Sequence, residues 1–230
     1  TLAAMGAVTT RLRLASNICL AALREPIGLA KAVSTASVLS GGRVVLGVAA
    51  GWLAEEYALC GVDFASRGRR LDELLAVSRR LWSGQPVAHR GEFFGFGEGI
   101  MCPPPPASIP VWCGGASAPA LRRAARNDGW LGLPLDRSGA LPIIETLRRE
   151  RQAAGRAPEG LSIAIALTEA HEPSIIAELE AAGVTALMIM SPWMPNPFIR
   201  APWFDPAADP SRLESKRAAM LRFAAQVIAR

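Results

Sequence analysis

The sequence alternates strand-like and helix-like segments along most of its length, and this alternation limits the folds that the chain can adopt. Short apolar runs predict six strands: Leu12–Leu20, Val44–Ala49, Pro110–Cys113, Gly129–Leu133, Leu161–Leu167 and Ala186–Met190. Helical patterns separate the runs, and no hairpin signal joins two of them. Strands linked by helices are parallel, because a parallel pair needs a crossover connection. The sequence therefore predicts an α/β fold, with which an open doubly wound sheet and a (β/α)8 barrel are both compatible.

Six strand–helix units are two fewer than a closed (β/α)8 barrel contains, and the chain of 230 residues is shorter than a typical barrel of about 250. Thr1 begins within an apolar, helix-like stretch, so we expect two N-terminal βα units to be absent from this chain. Half of the residues are apolar, which suffices for a large core and excludes global disorder. No linker divides the sequence, which predicts a single domain over residues 1–230.

Charge and composition argue against several classes of protein. The net charge is +5, almost all of the positive charge is arginine, and the arginines form no continuous basic stripe, so we expect no nucleic-acid partner. No apolar run reaches about 18 residues and no signal-peptide pattern opens the chain, so we expect no membrane partner and a cytoplasmic location. The four cysteines and two histidines lack the spacing of a zinc motif, which predicts reduced thiols and no metal site.

A diglycine loop after the third predicted strand is the strongest candidate for a ligand site, because ligands of parallel α/β folds bind where strands end. The segment consists of Gly114, Gly115, Ala116 and Ser117. Glycines let the backbone approach a ligand closely, and the free amides of the following helix bind phosphate. The alternative is an ordinary tight turn in which Ser117 caps the helix.

A second loop, formed by Ala50, Gly51 and Trp52, follows the predicted strand Val44–Ala49. Gly51 allows close approach of a ligand, and Trp52 either forms a wall beside a ring-shaped ligand or caps the core. The segment lacks the GxGxxG spacing of a dinucleotide site.

Few titratable side chains are candidates for acid–base catalysis. Glu55 and Glu56 are adjacent and would point in different directions on a helix, which favours a solvated surface over acid–base work. His171 follows the predicted strand Leu161–Leu167 and is a candidate general acid, whereas His89 has no assigned role. No P-loop, nucleophile elbow or catalytic triad is present.

Several motifs, taken together and in this order, resemble the bacterial luciferase-like monooxygenases, and most closely their branch that uses the deazaflavin coenzyme F-420. They are TTRLRL from Thr9, REP from Arg24, LSGGRVVLGV from Leu39, GW at Gly51, EEY from Glu55, RGRRLDE from Arg67, PVWCGGAS from Pro110, LRRAA from Leu121 and DGW from Asp128. Agreement is dense to about residue 135, and only the strand–helix rhythm continues beyond it.

The resemblance implies a (β/α)8 barrel and a flavin-type site. It places a non-prolyl cis peptide bond at Asn17 and Ile18, where a bent strand contacts the cofactor ring. It places the cofactor phosphate around Gly114, Gly115, Ala116 and Ser117, with Ala50, Gly51 and Trp52 beside the cofactor. The implied activity is oxidoreduction of a small organic substrate. Coenzyme F-420 (an 8-hydroxy-5-deazaflavin) would support hydride transfer, and FMN, the alternative cofactor, would support monooxygenation.

A truncated or degenerate relative without catalysis, binding cofactor weakly or acting as a partner subunit, is the competing interpretation. We expect a homodimer, and variable loops at Ser83–Ile109 and Ser191–Pro210 to form the substrate walls. The second loop is rich in aromatic residues, which suggests that it contacts a hydrophobic substrate or another subunit; they are Trp193, Phe198, Trp203 and Phe204.

Overall fold

The computed structural model describes residues 1–169, 171–189, 192, 194–195 and 203–228. Its contacts group the chain into two compact units, described separately below. Unit 1 comprises Thr1–Leu131 and Glu150–Leu161, and unit 2 comprises Gly132–Arg149 and Ser162–Arg230. The single domain over residues 1–230 stays a prediction.

Unit 1 carries the parallel strands that lead to the candidate site. Its elements are α1 (Leu2–Ala7), β1 (Leu14–Ala15), α2 (Pro26–Leu39), β2 (Val44–Val48), α3 (Ala54–Leu59), α4 (Arg67–Leu81), β3 (Val87–Arg90), β4 (Gly95–Gly99), β5 (Val111–Gly114), α5 (Ala118–Arg126) and the start of β6 (Gly129–Leu135). Parallel pairing joins β1 to β2, β2 to β5 and β5 to β6. All five residues of β2 are buried, as expected for a strand covered on both faces.

The first strand is much shorter than the predicted Leu12–Leu20. Only Leu14 and Ala15 pair with β2, and the chain rejoins it at a single bridge between Cys19 and Val48. Between these points the Ser16 hydroxyl binds the backbone of Gly47, which replaces regular pairing. The apolar run therefore bends at its centre, which its composition does not reveal.

Residues Ser83–Ile109, which lie outside the six predicted strands, contain an antiparallel hairpin. Strands β3 and β4 pair from Val87 with Gly99 to Arg90 with Gly95. Strand β4 is rich in glycine, and its sequence gives little strand propensity. The hairpin is held by contacts with α4 that a local pattern cannot show.

The sequence pattern predicts helices from Pro26 to Ser40 and from about Ser66 to Trp82, and α2 and α4 match them to within one residue at each end. Pro26 opens α2, and the Glu25 carboxylate caps it by accepting a hydrogen bond of 2.9 Å from the Gly28 amide. Gly41 and Gly42 follow the helix with φ of 65° and 81°. Helix α3 was not predicted as a separate element.

The Arg43 guanidinium fixes the segment before β1. It donates to the carbonyl oxygens of Gly6, Thr9 and Leu12 at 2.8, 2.7 and 2.7 Å. These bonds satisfy backbone acceptors at the entrance to β2.

Unit 2 contains the end of β6, most of α6 (Arg137–Ala153), β7 (Ser162–Leu167), α7 (Pro173–Ala181), β8 (Ala186–Met188) and α8 (Leu213–Phe223), which ends in a π-helical turn at Ala224–Ile228. Strands β7 and β8 are parallel, and the Leu135 carbonyl accepts a bond of 2.9 Å from the Thr168 amide. The predicted strand Ala186–Met190 is confirmed from Ala186 to Met188. Ile189 already lies beyond the strand, and Met190 lies outside the described residues.

Candidate functional site

The bend after β1 brings one backbone segment very close to β2. Ser16 Oγ accepts a bond of 2.9 Å from the Gly47 amide and donates one of 2.9 Å to the Gly47 carbonyl. A Cβ on Gly47 would lie 1.9 Å from the Ser16 carbonyl oxygen, so only glycine fits this position. The chain returns to β2 where the Cys19 amide donates to the Gly47 carbonyl at 2.9 Å.

The peptide bond between Asn17 and Ile18 is cis, as the resemblance implied. The Ile18 side chain lies over Gly114 at the end of β5, because a Cβ on Gly114 would be 2.3 Å from Ile18 Cδ1. Ala49 is also close, with its Cβ 3.7 Å from the same point. Three segments that the sequence analysis singled out therefore meet where β1, β2 and β5 end.

Tyr57 contacts and supports the loop of Ala50, Gly51 and Trp52. The Tyr57 hydroxyl donates to the Ala50 carbonyl, and a Cβ on Gly51, whose φ is 78°, would lie 3.2 Å from Tyr57 Cε2. Tyr57 is fully buried, and burial raises the pKa of its hydroxyl. Trp52 is 84% exposed, so it does not cap the core.

The diglycine loop connects β5 to α5. Gly115 has a φ of 105°, and its carbonyl accepts a bond of 2.9 Å from the indole of fully buried Trp130. Ser117 is the N-cap residue of α5, but its hydroxyl makes no capping hydrogen bond to the helix. The Ser117 side chain therefore does not cap α5, and its hydroxyl and the helix N-terminus are available to an anion.

A buried arginine holds α5 in place. The Arg123 guanidinium donates to both Asp72 carboxylate oxygens, at 2.6 and 3.0 Å, and to the Gly68 carbonyl at 3.0 Å. Both acceptors lie on α4, so these bonds tie the last turn of α5 to α4. Next to it, burial raises the pKa of the Cys113 thiol to about 12, which makes this thiol unreactive at neutral pH.

His89, which was assigned no role from the sequence, anchors the hairpin to α4. The Glu73 carboxylate contacts His89 Nε2 at 2.9 Å and accepts bonds of 3.0 Å from the amides of Phe93 and Phe94. Burial alone would raise the pKa of Glu73, but these hydrogen bonds outweigh it and lower the pKa.

We expect the hairpin anchor to be sensitive to acid. The lowered pKa of Glu73 means that its contribution to stability is complete above about pH 4.5 and is lost as the pH falls through the folded-state pKa. At pH 5, Glu73→Gln should lower the free energy of unfolding in urea by about 1–2 kcal/mol. The difference from the unmodified chain should vanish towards pH 3, and a difference that stays constant from pH 5 to pH 3 would contradict this assignment.

The remaining titratable candidates do not join this cluster. Glu55 and Glu56 lie in the first turn of α3, and Glu55 is exposed. His171 belongs to unit 2, where its ring packs edge-on against Trp203 with centroids 5.8 Å apart. Burial lowers the pKa of its imidazole, and neither ring nitrogen has a hydrogen-bond partner in the described chain.

Of the two aromatic residues that the structure describes in the predicted loop Ser191–Pro210, Trp203 packs inward and Phe204 is partly exposed. Trp203 is 4% exposed and lies against Phe223 with ring centroids 5.0 Å apart. Trp203 therefore belongs to the interior of this unit and offers no surface to another subunit. Trp193 and Phe198 lie outside the described residues.

The described part of the chain has no cluster of three or more His, Cys, Asp or Glu side chains that could hold a metal ion. Among the same residues, no helix combines the length and apolar character needed to cross a bilayer.

Comparison with known proteins identifies the family. Residues 1–228 match the family model of the luciferase-like monooxygenases, and the chain belongs to this family. In Mycobacterium tuberculosis, an uncharacterized protein is 36% identical over 187 residues, which are 81% of this chain and 65% of that protein. An F420-dependent hydroxymycolic acid dehydrogenase of the same organism is 28% identical over 165 residues, or 70% of this chain and 46% of that protein.

Among solved structures, a monooxygenase, RslO1, from Streptomyces bottropensis superposes with a TM-score of 0.73 at 20% identity, covering 99% of this chain and 81% of that one. The likeness shows the fold, and the six parallel strands follow the strand–helix order of a luciferase-like (β/α)8 barrel. The chain spans 65% of the length of the first relative named above.

The site also contains residues that sequence reasoning missed. Four residues hold the bend, the second loop and the diglycine loop in place: Ser16, Gly47, Tyr57 and Trp130. Gly47 offered a signal, because a glycine inside a buried strand often marks the close approach of another backbone.

Proposed function

We propose that this chain binds a phosphorylated, tricyclic redox cofactor at the carboxyl ends of β1, β2 and β5, and acts as an oxidoreductase on a small organic substrate. The observation that carries the proposal is the meeting of Ile18, Ala49 and Gly114, since it unites the segments that the sequence analysis assigned to the ring and the phosphate. Membership of the luciferase-like monooxygenase family supports it.

The residues present fit the phosphate of such a cofactor. Gly115 turns the chain away from the site at a positive φ, and the side chains that follow it, Ala116 and Ser117, are too small to block access. The Ser117 hydroxyl and the N-terminus of α5 would donate hydrogen bonds to phosphate oxygens, and the helix dipole favours their negative charge.

The ring would lie against the bent segment. Ile18 is 37% exposed and offers an apolar surface next to Gly114, whose lack of a side chain keeps that space open. When bound, the cofactor supplies hydride or oxygen chemistry, while the chain orients its ring and excludes water from one face.

We favour coenzyme F-420 over FMN. The resemblance of the N-terminal motifs and the F420-dependent dehydrogenase among the relatives support hydride transfer. The family as a whole is named for monooxygenases, which makes monooxygenation with FMN the alternative.

An anaerobic titration of the chain with each reduced cofactor tests the proposal. We expect saturable binding, tighter for F-420 than for FMN. Ser117→Ala should weaken binding about fivefold to tenfold, because a hydrogen bond to a charged phosphate is lost.

Ser174→Ala is the matched control, because Ser174 is an exposed serine at the start of α7 in unit 2. It should leave cofactor affinity unchanged. Absence of binding for both cofactors would overturn the proposal, and tight binding of FMN alone would overturn the preference for F-420.

A further inference from the structure

A second cleft lies at the opposite end of β5 from the candidate cofactor site. Its volume is about 350 Å³, which is within the range of small-molecule sites. It lies between the end of α4 and the proline-rich segment before β5, and its lining includes Arg79, Trp82, Pro105, Ala107, Ser108 and Ile109.

The inner wall of this cleft is apolar and rigid. Trp82 is 8% exposed and Ile109 is 2% exposed, so each shows only an edge to the cleft. The Trp82 indole donates a bond of 3.0 Å to the Ala30 carbonyl, which fixes the orientation of the ring. A flat apolar group could pack between these side chains and Pro105.

The rim of the cleft carries hydrogen-bond donors that are not used. Arg79 Nη2 donates to Asn127 and Asp128 at 3.0 and 2.7 Å, whereas its Nε and Nη1 donate to no group within the described chain. The same holds, among described residues, for the Ser108 hydroxyl and for the amides of Ala107, Ser108 and Ile109. Ile109 is 2% exposed, and a buried backbone amide normally has a partner, so the Ile109 amide in particular favours an acceptor in the cleft.

The charge around the cleft is positive. Asp128 is the acceptor for Arg79 at 2.7 Å and for Arg156 at 3.3 Å, and its Oδ2 also accepts from the Val111 amide at 3.0 Å. The buried Arg151 guanidinium adds a further positive charge, and its hydrogen-bond acceptors among the described residues are the carbonyl oxygens of Ala157, Ala125 and Asn127.

The C-terminus of α4 is the negative end of its helix dipole and disfavours an anion nearby. This effect is reduced because carbonyl groups of the last turn already accept hydrogen bonds. The Ser78 and Arg80 carbonyls accept bonds of 3.0 and 3.1 Å from the amides of Trp82 and Ser83. Three guanidinium groups near one carboxylate leave an excess of positive charge beside the cleft, and one of them, Arg79, belongs to its lining.

We propose that this cleft binds a small organic anion, a carboxylate or phosphate group attached to a flat apolar body. The anionic group would accept hydrogen bonds from Arg79, the Ser108 hydroxyl and the amides beside it. The apolar body would lie against Trp82 and Ile109. This site is separate from the proposed cofactor site, and nothing in the argument depends on that cofactor.

Calorimetric titration of the 230-residue chain with phenyl phosphate and with benzoate tests the proposal, and the tighter of the two identifies the preferred anionic group. Benzyl alcohol, which has the ring without the charge, should bind at least about tenfold more weakly. Arg79→Gln and Ala107→Trp should each weaken binding of the preferred anion by about tenfold or more, the first by removing a charged donor and the second by filling the cleft. Arg122→Gln makes the same change in charge at an exposed position of α5 and should have no effect.

The proposal is overturned if neither anion binds saturably. It is also overturned if Ala107→Trp binds the anion as well as the unmodified chain does, because the anion then occupies another site, such as the loop at Gly115 and Ser117. If Arg79→Gln unfolds because the Asp128 contact is lost, Ala107→Trp alone tests the proposal. Ala107 is exposed, and in the described chain it shares no hydrogen bond with Arg79 or Asp128.

Discussion

Replacing Gly47 with alanine is expected to lower the free energy of unfolding by about 3 kcal/mol or more. The new Cβ would lie 1.9 Å from the Ser16 carbonyl oxygen and 2.8 Å from Leu131 Cδ1. The first of these atoms is backbone, and the Ser16 hydroxyl ties that backbone to Gly47 itself through two bonds of 2.9 Å. The clash therefore cannot be relieved by rotating a side chain, and the bend that carries Ile18 must move.

Gly97→Ala is the matched control for this prediction, and urea denaturation followed by circular dichroism is the measurement. Gly97 lies in β4, and a Cβ there would meet nothing within 4 Å. Its replacement should change the free energy of unfolding by no more than about 0.5 kcal/mol. Equal stabilities of the two variants would show that β1 and β2 do not approach each other as described.

Truncation of Trp130 to alanine is expected to cost about 3–5 kcal/mol, because a fully buried indole leaves a large cavity. Trp130→Phe separates the two roles of this side chain. Phenylalanine keeps most of the packing but cannot donate to the Gly115 carbonyl, which now receives a bond of 2.9 Å. The unpaired carbonyl should cost about 1–2 kcal/mol and loosen the diglycine loop.

Cofactor affinity shows whether the Trp130 indole supports the diglycine loop or only packs in the core. If the indole holds Gly115 in its binding conformation, the folded Trp130→Phe protein should bind F-420 several-fold more weakly than the unmodified chain. Binding at full strength by Trp130→Phe would mean that the Gly115 carbonyl needs no donor for the loop to function.

The strand–helix order could be predicted from the sequence because it depends on local patterns. Buried runs such as Val44–Val48 and capped helices such as Pro26–Leu39 carry their own periodicity and end signals. The family also followed from the order of its motifs, and residues 1–228 match it.

The missed features depend on contacts between segments distant in the chain. The break in the predicted strand Leu12–Leu20 is produced by the Ser16 contact with Gly47, 31 residues away. The hairpin is held by Glu73, which lies 20 and 21 residues before the amides of Phe93 and Phe94. Neither partner changes the composition of its own segment, so no window of local sequence reveals the contact.

The candidate site shows the same division. Its glycines could be predicted from the sequence as positions of unusual backbone conformation. In the structure, Gly51 and Gly115 adopt positive φ values, which glycine favours. The side chains that support them, Tyr57 and Trp130, resemble ordinary core residues in the sequence. Their hydroxyl and indole groups become meaningful only when the structure shows the Ala50 and Gly115 carbonyls that they bind.

A crystal structure of the chain in complex with F-420 tests the central proposal most directly. The account predicts the deazaflavin ring against the Ile18 side chain and a phosphate oxygen within hydrogen-bond distance of Ser117 Oγ or of the first amides of α5. A cofactor bound with its ring and phosphate away from both Ile18 and Ser117 would contradict it.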